Sequence, residues 1–268
     1  MSGRHASGLT VVRLTDIRAS APALRLVCFP HAGAGARTFR AWPAMFPIDV
    51  DVWEVTLPRP RGAIHQPFRR MGPLLDASIG ALIPWLAGPY VLFGHSLGAL
   101  AAFEVARTLA GMGHSRPHLV VVSGCPAPSS AAAATAKTLE LSDAAFCDHL
   151  RERYGVSEAL LGSAELMRLA LPFIRAEFEI YETYEYTRGE PLTCRIVGLC
   201  GDRDAVVQPE EMRGWAAETR SDYAEHIIPG DHFFPIASYR QVTSVIRRHI
   251  AHLGLMHGDR HDPQEAAQ

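Results

Sequence analysis

Tyr90-Val-Leu-Phe-Gly-His-Ser-Leu-Gly-Ala-Leu100 is a short apolar run that halts at Gly94-His95-Ser96-Leu97-Gly98 and passes into an alanine-rich helical pattern. A strand that turns at once into a helix leaves its corner residue in a strained backbone conformation. Small residues two positions to either side let strand and helix approach closely. Such a corner exposes the hydroxyl of Ser96. The backbone N–H groups of Ser96 and Leu97 then fall at the first turn of the new helix, where unpaired donors and the helix dipole favour negative charge. An acyl-transfer transition state needs that environment. A Gly-x-Ser-x-Gly pentad also arises by chance, and it gains meaning here from the strand before it and the helix after it.

Outward from Ser96 the chain alternates between strand and helix signals. Leu24-Arg-Leu-Val-Cys-Phe-Pro30 reads as a strand, followed by the glycine-rich His31-Ala-Gly-Ala-Gly35. Phe39, Trp42 and Phe46 then recur at helical spacing, which predicts a helix. Residues 50–58 read as a strand and 71–86 as a helix interrupted near Pro84, with a proline- and arginine-rich loop between them. After the predicted helix over 97–111, residues 118–124 form a continuous β-branched run, as expected of a strand covered on both faces. Further strands are predicted over 193–200 and 224–228, and helices over 210–220 and 239–253. Residues 9–14 suit a short edge strand. These connections are too long for hairpins, so the expected fold class is α/β, with a mostly parallel sheet whose ligands bind at the carboxyl ends of its strands.

One section breaks this rhythm. Residues 126–136 are small and flexible, and 141–186 offer only helical patterns, which predicts a helical cap over about 126–187 inserted into a single domain spanning 1–268. Leu160, Leu161, Leu166, Leu169, Leu171, Phe173, Ile174, Phe178, Ile180 and Tyr181 give this cap more apolar surface than one bundle face requires. That surplus suits an acyl-binding roof, although most of these residues individually would serve as helix-packing core. Residues 257–268 are expected to be disordered.

Composition narrows the function. The 268 residues are 48% hydrophobic, ample for a sizeable core, and 26 Lys and Arg against 28 Asp and Glu leave no basic surplus for nucleic acid or an anionic membrane. The five cysteines are odd in number and lack metal-ligand spacing, so they are expected to be buried free thiols, with no metal or cofactor. The start, Met1-Ser-Gly-Arg-His-Ala, has no apolar signal region, and no run reaches the roughly 18 apolar residues of a membrane span. A cytoplasmic location is expected.

A serine hydroxyl is a weak nucleophile near neutral pH and needs an adjacent base, itself oriented by a carboxylate. Gly201-Asp-Arg-Asp-Ala-Val-Val207 and Pro229-Gly-Asp-His-Phe-Phe234 each follow a predicted strand, which brings both to the end of the sheet that holds Ser96. The candidate base is His232 and the candidate acid Asp204, in the chain order Ser, Asp, His. Asp202 is better placed to bond the amides of its own loop. His95, inside the corner, is expected to pack it rather than act as a second base. The candidate oxyanion donors are the backbone N–H groups of Leu97 and of Ala32 in the glycine-rich loop.

Four stretches resemble the type II thioesterases that accompany modular polyketide and nonribosomal peptide synthetases, within the α/β-hydrolases. They are Cys28-Phe-Pro-His-Ala-Gly33, Phe93-Gly-His-Ser-Leu-Gly-Ala99, Leu171-Pro-Phe-Ile-Arg-Ala-Glu177 with Tyr181 beyond it, and Gly201-Asp-Arg-Asp204 with Gly230-Asp-His-Phe-Phe234. The resemblance covers about residues 20–250. It implies an α/β-hydrolase fold, with helices on both faces of the sheet, and hydrolysis of acyl groups from the phosphopantetheine arm of an acyl or peptidyl carrier protein. It also fits the frame Gly-x-x-Asp-x-x-Val, which Gly201, Asp204 and Val207 satisfy and Asp202 does not. Where the family has Leu-Pro-Gly-Arg, this chain has Leu57-Pro-Arg-Pro-Arg61. Arg59 and Arg61 would then meet the acidic surface of a carrier protein or the phosphate of its arm, or else form a solvated basic loop. The alternatives are a product-releasing thioesterase or cyclase, a carboxylesterase, and a binding protein without activity. An intact Ser96, His232 and Asp204 set weighs against the last.

Overall fold

The computed structural model describes residues 2–4, 8–16, 22–59, 66–130, 138–156 and 161–255. Among these, eight strands form: β1 (Ser2–Arg4), β2 (Thr10–Arg13), β3 (Leu24–Phe29), β4 (Val50–Thr56), β5 (Tyr90–His95), β6 (Leu119–Ser123), β7 (Arg195–Gly201) and β8 (Tyr223–Ile228). They make one sheet in the order β1-β2-β4-β3-β5-β6-β7-β8. The β1–β2 and β2–β4 pairs are antiparallel, and every pair from β4 across to β8 is parallel. The longer helices are α1 (Met71–Leu82), α2 (Leu97–Gly111), α3 (Asp143–Tyr154), α4 (Ala164–Glu182) and α5 (Tyr239–His252).

The period of two along a strand divides the core into two layers. On β5, Val91 and Phe93 face the layer that holds Phe39, Trp42 and the α5 residues Val242, Ile246 and Ile250. Tyr90 and Leu92 face the layer beneath α1 and α2. Each large apolar side chain buried in this way contributes about 1.5–3 kcal/mol. β5 is therefore anchored on both faces, which fixes the position of the residue at its end.

Two predicted helices take other forms. Phe39 and Trp42 are buried, but residues 36–46 coil as turns that end in a single 3-10 turn, Pro43–Met45. The Trp42 N–H donates to the Phe39 carbonyl at 2.9 Å and the Met45 N–H to the Trp42 carbonyl at 2.8 Å, both three residues back. Pro43 has no N–H to donate, and its ring opposes a preceding helical turn. Glu54, on β4, accepts the N–H groups of Thr38 and Phe39, both at 3.1 Å, so this segment bonds to the sheet instead. The second, over 210–220, is a short helix Pro209–Met212 followed by a 3-10 stretch, Arg213–Glu218. There Trp215 is buried, with its indole N–H donating to the Cys125 carbonyl at 2.8 Å, and a Cβ on Gly214 would lie 2.9 Å from that of Ala127. Close packing against 125–127 outweighs the helical pattern.

Helices α3 and α4 begin on serine caps. Ser142 Oγ accepts the Ala145 N–H at 3.3 Å and Ser163 Oγ the Leu166 N–H at 3.4 Å. Phe146, Leu150, Leu161, Met167, Leu171, Ile174 and Phe178 form a small core of their own here, with Ala32 and Tyr154 packed against it. The apolar surplus thus has several destinations. Ile180 joins the layer under α1 and α2, whereas Leu166 and Leu169 point to solvent with 53% and 46% exposure. Leu160 and residues 257–268 lie outside the described residues. All five cysteines are free thiols, but Cys147 and Cys194 are half-buried, against the expectation of full burial. Among the described residues no helix is long and apolar enough to cross a membrane.

Candidate active site

Ser96 sits between β5 and α2 with φ 56° and ψ −123°, a conformation that costs a non-glycine residue about 1–3 kcal/mol. Its neighbours hold it there. A Cβ on Gly94 would lie 2.0 Å from the Gly98 carbonyl oxygen, and one on Gly98 would lie 2.2 Å from the Phe29 carbonyl oxygen. The Ser96 N–H donates to the Ser123 carbonyl at 2.8 Å. That amide is therefore spent on β6, and only Leu97 of the two corner residues keeps an N–H available to an anion. Among the described residues the N–H groups of Ala32 and Leu97 enter none of the turn, loop or cap hydrogen bonds. Ala32, Ser96 and Leu97 line one small cavity together with Gly124, Tyr154, Phe178, Tyr181 and Val206.

The loops after β7 and β8 bring Asp204 and His232 together. His232 Nδ1 lies 2.9 Å from Asp204 Oδ2 and 3.1 Å from Oδ1, and the two residues are only 2% and 4% exposed. Asp204 Oδ1 also accepts the Val206 N–H at 2.8 Å and the Val207 N–H at 3.2 Å, so the carboxylate is fixed by its own loop. A carboxylate only accepts, which makes Nδ1 the donor and leaves a lone pair on Nε2 of the neutral ring. His232 Nε2 is buried without a hydrogen-bond partner, and His232 lines a cavity with Ser96, Ala32 and His31. Asp202 does otherwise than expected: its Oδ1 accepts the Gly230 N–H at 2.8 Å, tying the acid loop to the histidine loop rather than to itself.

His95 packs behind the corner, with Nδ1 3.0 Å from both the Ser123 carbonyl oxygen and its Oγ, and its ring 4.9 Å from that of His232. Burial, then the His232 and His31 charges, hold it well below the usual histidine range, so it stays neutral. His31 is lowered to about 3 by withdrawal from water, then by His232 and Arg59. A Cβ on Gly124 would meet His95 Cε1 at 2.5 Å and His232 Cε1 at 3.3 Å, so this glycine makes room for both rings. Among the described residues no cluster of three or more His, Cys, Asp or Glu side chains could hold a metal ion.

The cavity beside His232 and Ser96 measures about 30 Å³, and the one beside Leu97 about 20 Å³. Either holds little more than a water molecule. Leu150, Tyr154, Phe178 and Tyr181, from α3 and α4, close this space, and of these only Phe178 and Tyr181 stood among the apolar residues singled out from the sequence.

Arg59 corrects a second expectation. Its side chain folds inward and ion-pairs with Glu177 of α4, which is 2% exposed, and its Nε donates to the Ala34 carbonyl at 3.0 Å. Arg61 lies outside the described residues. No local sequence pattern reports the Glu177 partnership, because Arg59 and Glu177 lie 118 positions apart.

A strained serine at a strand-to-helix corner, facing a carboxylate-bound histidine across the carboxyl ends of a parallel sheet, belongs to an α/β-hydrolase-fold enzyme. Within that class the chain belongs to the thioesterase domain family, whose model matches residues 24–253, and it is a hydrolase acting on thioester bonds. It is 34% identical over 216 residues to the gramicidin S biosynthesis protein GrsT of Aneurinibacillus migulanus, covering 80% of this chain and 84% of that one. Against the thioesterase PikA5 of Streptomyces venezuelae it is 33% identical over 246 residues, covering 91% and 86%. The type II thioesterase BorB from the borrelidin biosynthetic cluster superposes with a TM-score of 0.81 at 31% identity, over 92% of this chain and 100% of that one.

Proposed function

We propose that this thioesterase removes acyl groups from the phosphopantetheine arm of acyl or peptidyl carrier proteins, clearing stalled or misprimed chains during polyketide or nonribosomal peptide assembly. The observation that carries the reading is the buried, unpartnered Nε2 of His232 in the wall of the cavity that holds Ser96. In this mechanism Ser96 Oγ attacks the thioester carbon and its proton passes to His232 Nε2, while Asp204 steadies the imidazolium. The oxyanion is held by the Ala32 and Leu97 N–H groups. Collapse expels the pantetheine thiolate, which takes the proton from His232. Water, deprotonated by His232, then attacks the acyl-enzyme, releasing the acid and freeing Ser96. Every step uses groups of the chain and water, so the chemistry calls for no metal or cofactor. The role is a cytoplasmic one. The proposed reaction is supported by the names of three relatives: a gramicidin S biosynthesis protein, GrsT, a thioesterase, PikA5, and a type II thioesterase of the borrelidin biosynthetic cluster, BorB.

The test is to incubate the protein with a panel of acyl-loaded carrier proteins and follow their intact mass. Loss of the acyl group from several carriers, with the free acid as product, is the expected result. Cyclised product would favour the releasing enzyme, and faster turnover of simple oxygen esters than of any carrier thioester would favour a carboxylesterase.

A further inference from the structure

Between the glycine-rich loop and α4 runs a chain of part-buried polar contacts, centred on the buried Glu177, that the reaction itself does not use. Glu177 Oε2 accepts the Gly33 N–H at 2.6 Å. Its other oxygen, Oε1, takes the short contact from Arg59 Nη1, and Arg59 Nη2 stands 3.5 Å from Oε2. Arg59 also reaches across the loop, donating from Nε to the Ala34 carbonyl at 3.0 Å and from Nη2 to the same oxygen. The two residues thus grip the turn at adjacent positions, one through the Gly33 N–H and the other through the Ala34 carbonyl. The turn is closed on itself by the Ala34 N–H donating to the His31 carbonyl at 3.2 Å. Gly33 has φ +81°, open to glycine at little cost, and a Cβ there would stand 3.5 Å from Ile174 of α4.

We infer that Arg59 and Glu177 are positioning residues that hold the Ala32 N–H in its oxyanion-binding orientation by locking the 31–34 turn to α4. This rests on the reading of Ala32 as an oxyanion donor. The consequence of the geometry is direct. The Ala32 N–H belongs to the peptide whose His31 carbonyl accepts the Ala34 N–H, and the next peptide is held through the Gly33 N–H by Glu177, so its direction is set by a turn that Glu177 and Arg59 grip from outside. Preorganised donors of this kind act because they need no reorganisation as charge develops. The cost of the arrangement is a buried carboxylate. Burial pushes the Glu177 carboxyl up, and the Arg59 charge and hydrogen bond, then the Gly33 N–H, pull it back. Removing one partner of a buried pair is costly because it strands the other charge. The arginine that stands where the resembling family has glycine is therefore tied inward, where it serves the reaction rather than a docking surface.

The test compares wild type with Glu177→Gln, Arg59→Met and the double variant on the acetyl thioester of N-acetylcysteamine, a substrate too small to report carrier contacts. Glu177→Gln is expected to lower kcat by about 10- to 100-fold, somewhat less than deletion of an oxyanion donor outright. KM should stay within about twofold. Inhibition by an alkyl boronic acid, whose tetrahedral Ser96 adduct places an oxygen in the hole, should weaken by the same factor as kcat. Because the pair acts as a unit, the double variant should lose no more than Arg59→Met alone. Circular dichroism melts accompany each variant, and Arg59→Lys, which keeps the charge, should show an intermediate loss if the larger changes do not fold. Unchanged kcat and boronate affinity in a folded Glu177→Gln, or a KM effect confined to carrier-protein substrates, would overturn the inference. Labelling of wild-type Ser96 by a fluorophosphonate separates the two readings: no label removes the serine mechanism, whereas label with an indifferent Glu177→Gln removes only the positioning role.

Discussion

The corner around Ser96 and the roof above it are built by different means. At the corner the constraints are backbone: Gly94 against Gly98, Gly98 against Phe29, and the Ser96 N–H bonded to Ser123. In the roof they are side chains. Phe178, Tyr154 and Phe146 stack edge to face with centroids 5.2 Å and 5.3 Å apart, and the Arg59–Glu177 pair fastens α4 to the loop beneath. A corner made of backbone contacts has one arrangement. A roof made of side chains has several rotamers open to it, and here it leaves a cavity of about 30 Å³, less than an acyl chain fills. Ser96 is thus held by the backbone of its neighbours, whereas the roof is held by side-chain contacts.

The largest effects are expected among the fixed groups. Asp204→Asn should lower kcat by on the order of 10⁴-fold, the handicap known for a histidine left in the wrong tautomer. Asp202→Asn, which keeps an acceptor for the Gly230 N–H and gives up only an exposed ion pair with Arg203, should stay within about tenfold. Both are assayed on the same acyl thioester with far-UV circular dichroism as the folding control. An active Asp204→Asn beside a folded, inactive Asp202→Asn would reverse the two roles.

Phe178→Ala addresses the roof. Truncating a buried phenylalanine costs about 3–5 kcal/mol, read as a fall in Tm. The same change enlarges the space beside Ser96, so kcat/KM for an octanoyl thioester should rise relative to the acetyl one. A stable variant with the wild-type ratio would show that the roof does not set chain length.

A smaller effect comes from the histidines around the corner. His95 and His31 have folded pKa values below the ordinary 6.5, so below that pH the unfolded chain binds more protons than the native one. Stability therefore rises with pH here: the contribution is complete above pH 6.5 and is lost as pH falls, for His31 down to about 3. One unit below 6.5 the loss is on the order of 1 kcal/mol for His31, and His95 acts in the same direction. Thermal melts at pH 7.5 and 5.5 should show a lower Tm at the acid value, and His95→Asn should show a smaller difference between them. Equal slopes for the two proteins would mean that His95 is not held neutral.

What could be read from the sequence follows the same division. Strand, glycine, serine and glycine are adjacent in the chain, so β5, α2 and the strained corner were legible from Tyr90 to Leu100 without knowledge of the rest. Asp204 and His232 were legible because strand ends in a parallel sheet gather at one edge. Asp202 was misjudged because its partner, Gly230, comes from another loop, and no local pattern reports a hydrogen bond across 28 residues. The 36–46 segment deceived for a related reason: Phe39 and Trp42 keep helical spacing, but Pro43 and the distant Glu54 decide the backbone. Arg59 looked like an exposed charge because its partner lies 118 residues on, in α4.

The measurement that bears most directly on the central claim is the fate of an acyl-carrier protein in the presence of wild type and of Ser96→Ala. Intact mass should show the wild type stripping the acyl group, with a transient acyl adduct that peptide mapping places on Ser96. The alanine variant, folded as judged by circular dichroism, should be slower by on the order of 10⁴-fold or more. Hydrolysis at a comparable rate by Ser96→Ala, or an acyl adduct on any other residue, would contradict a mechanism built on the corner serine.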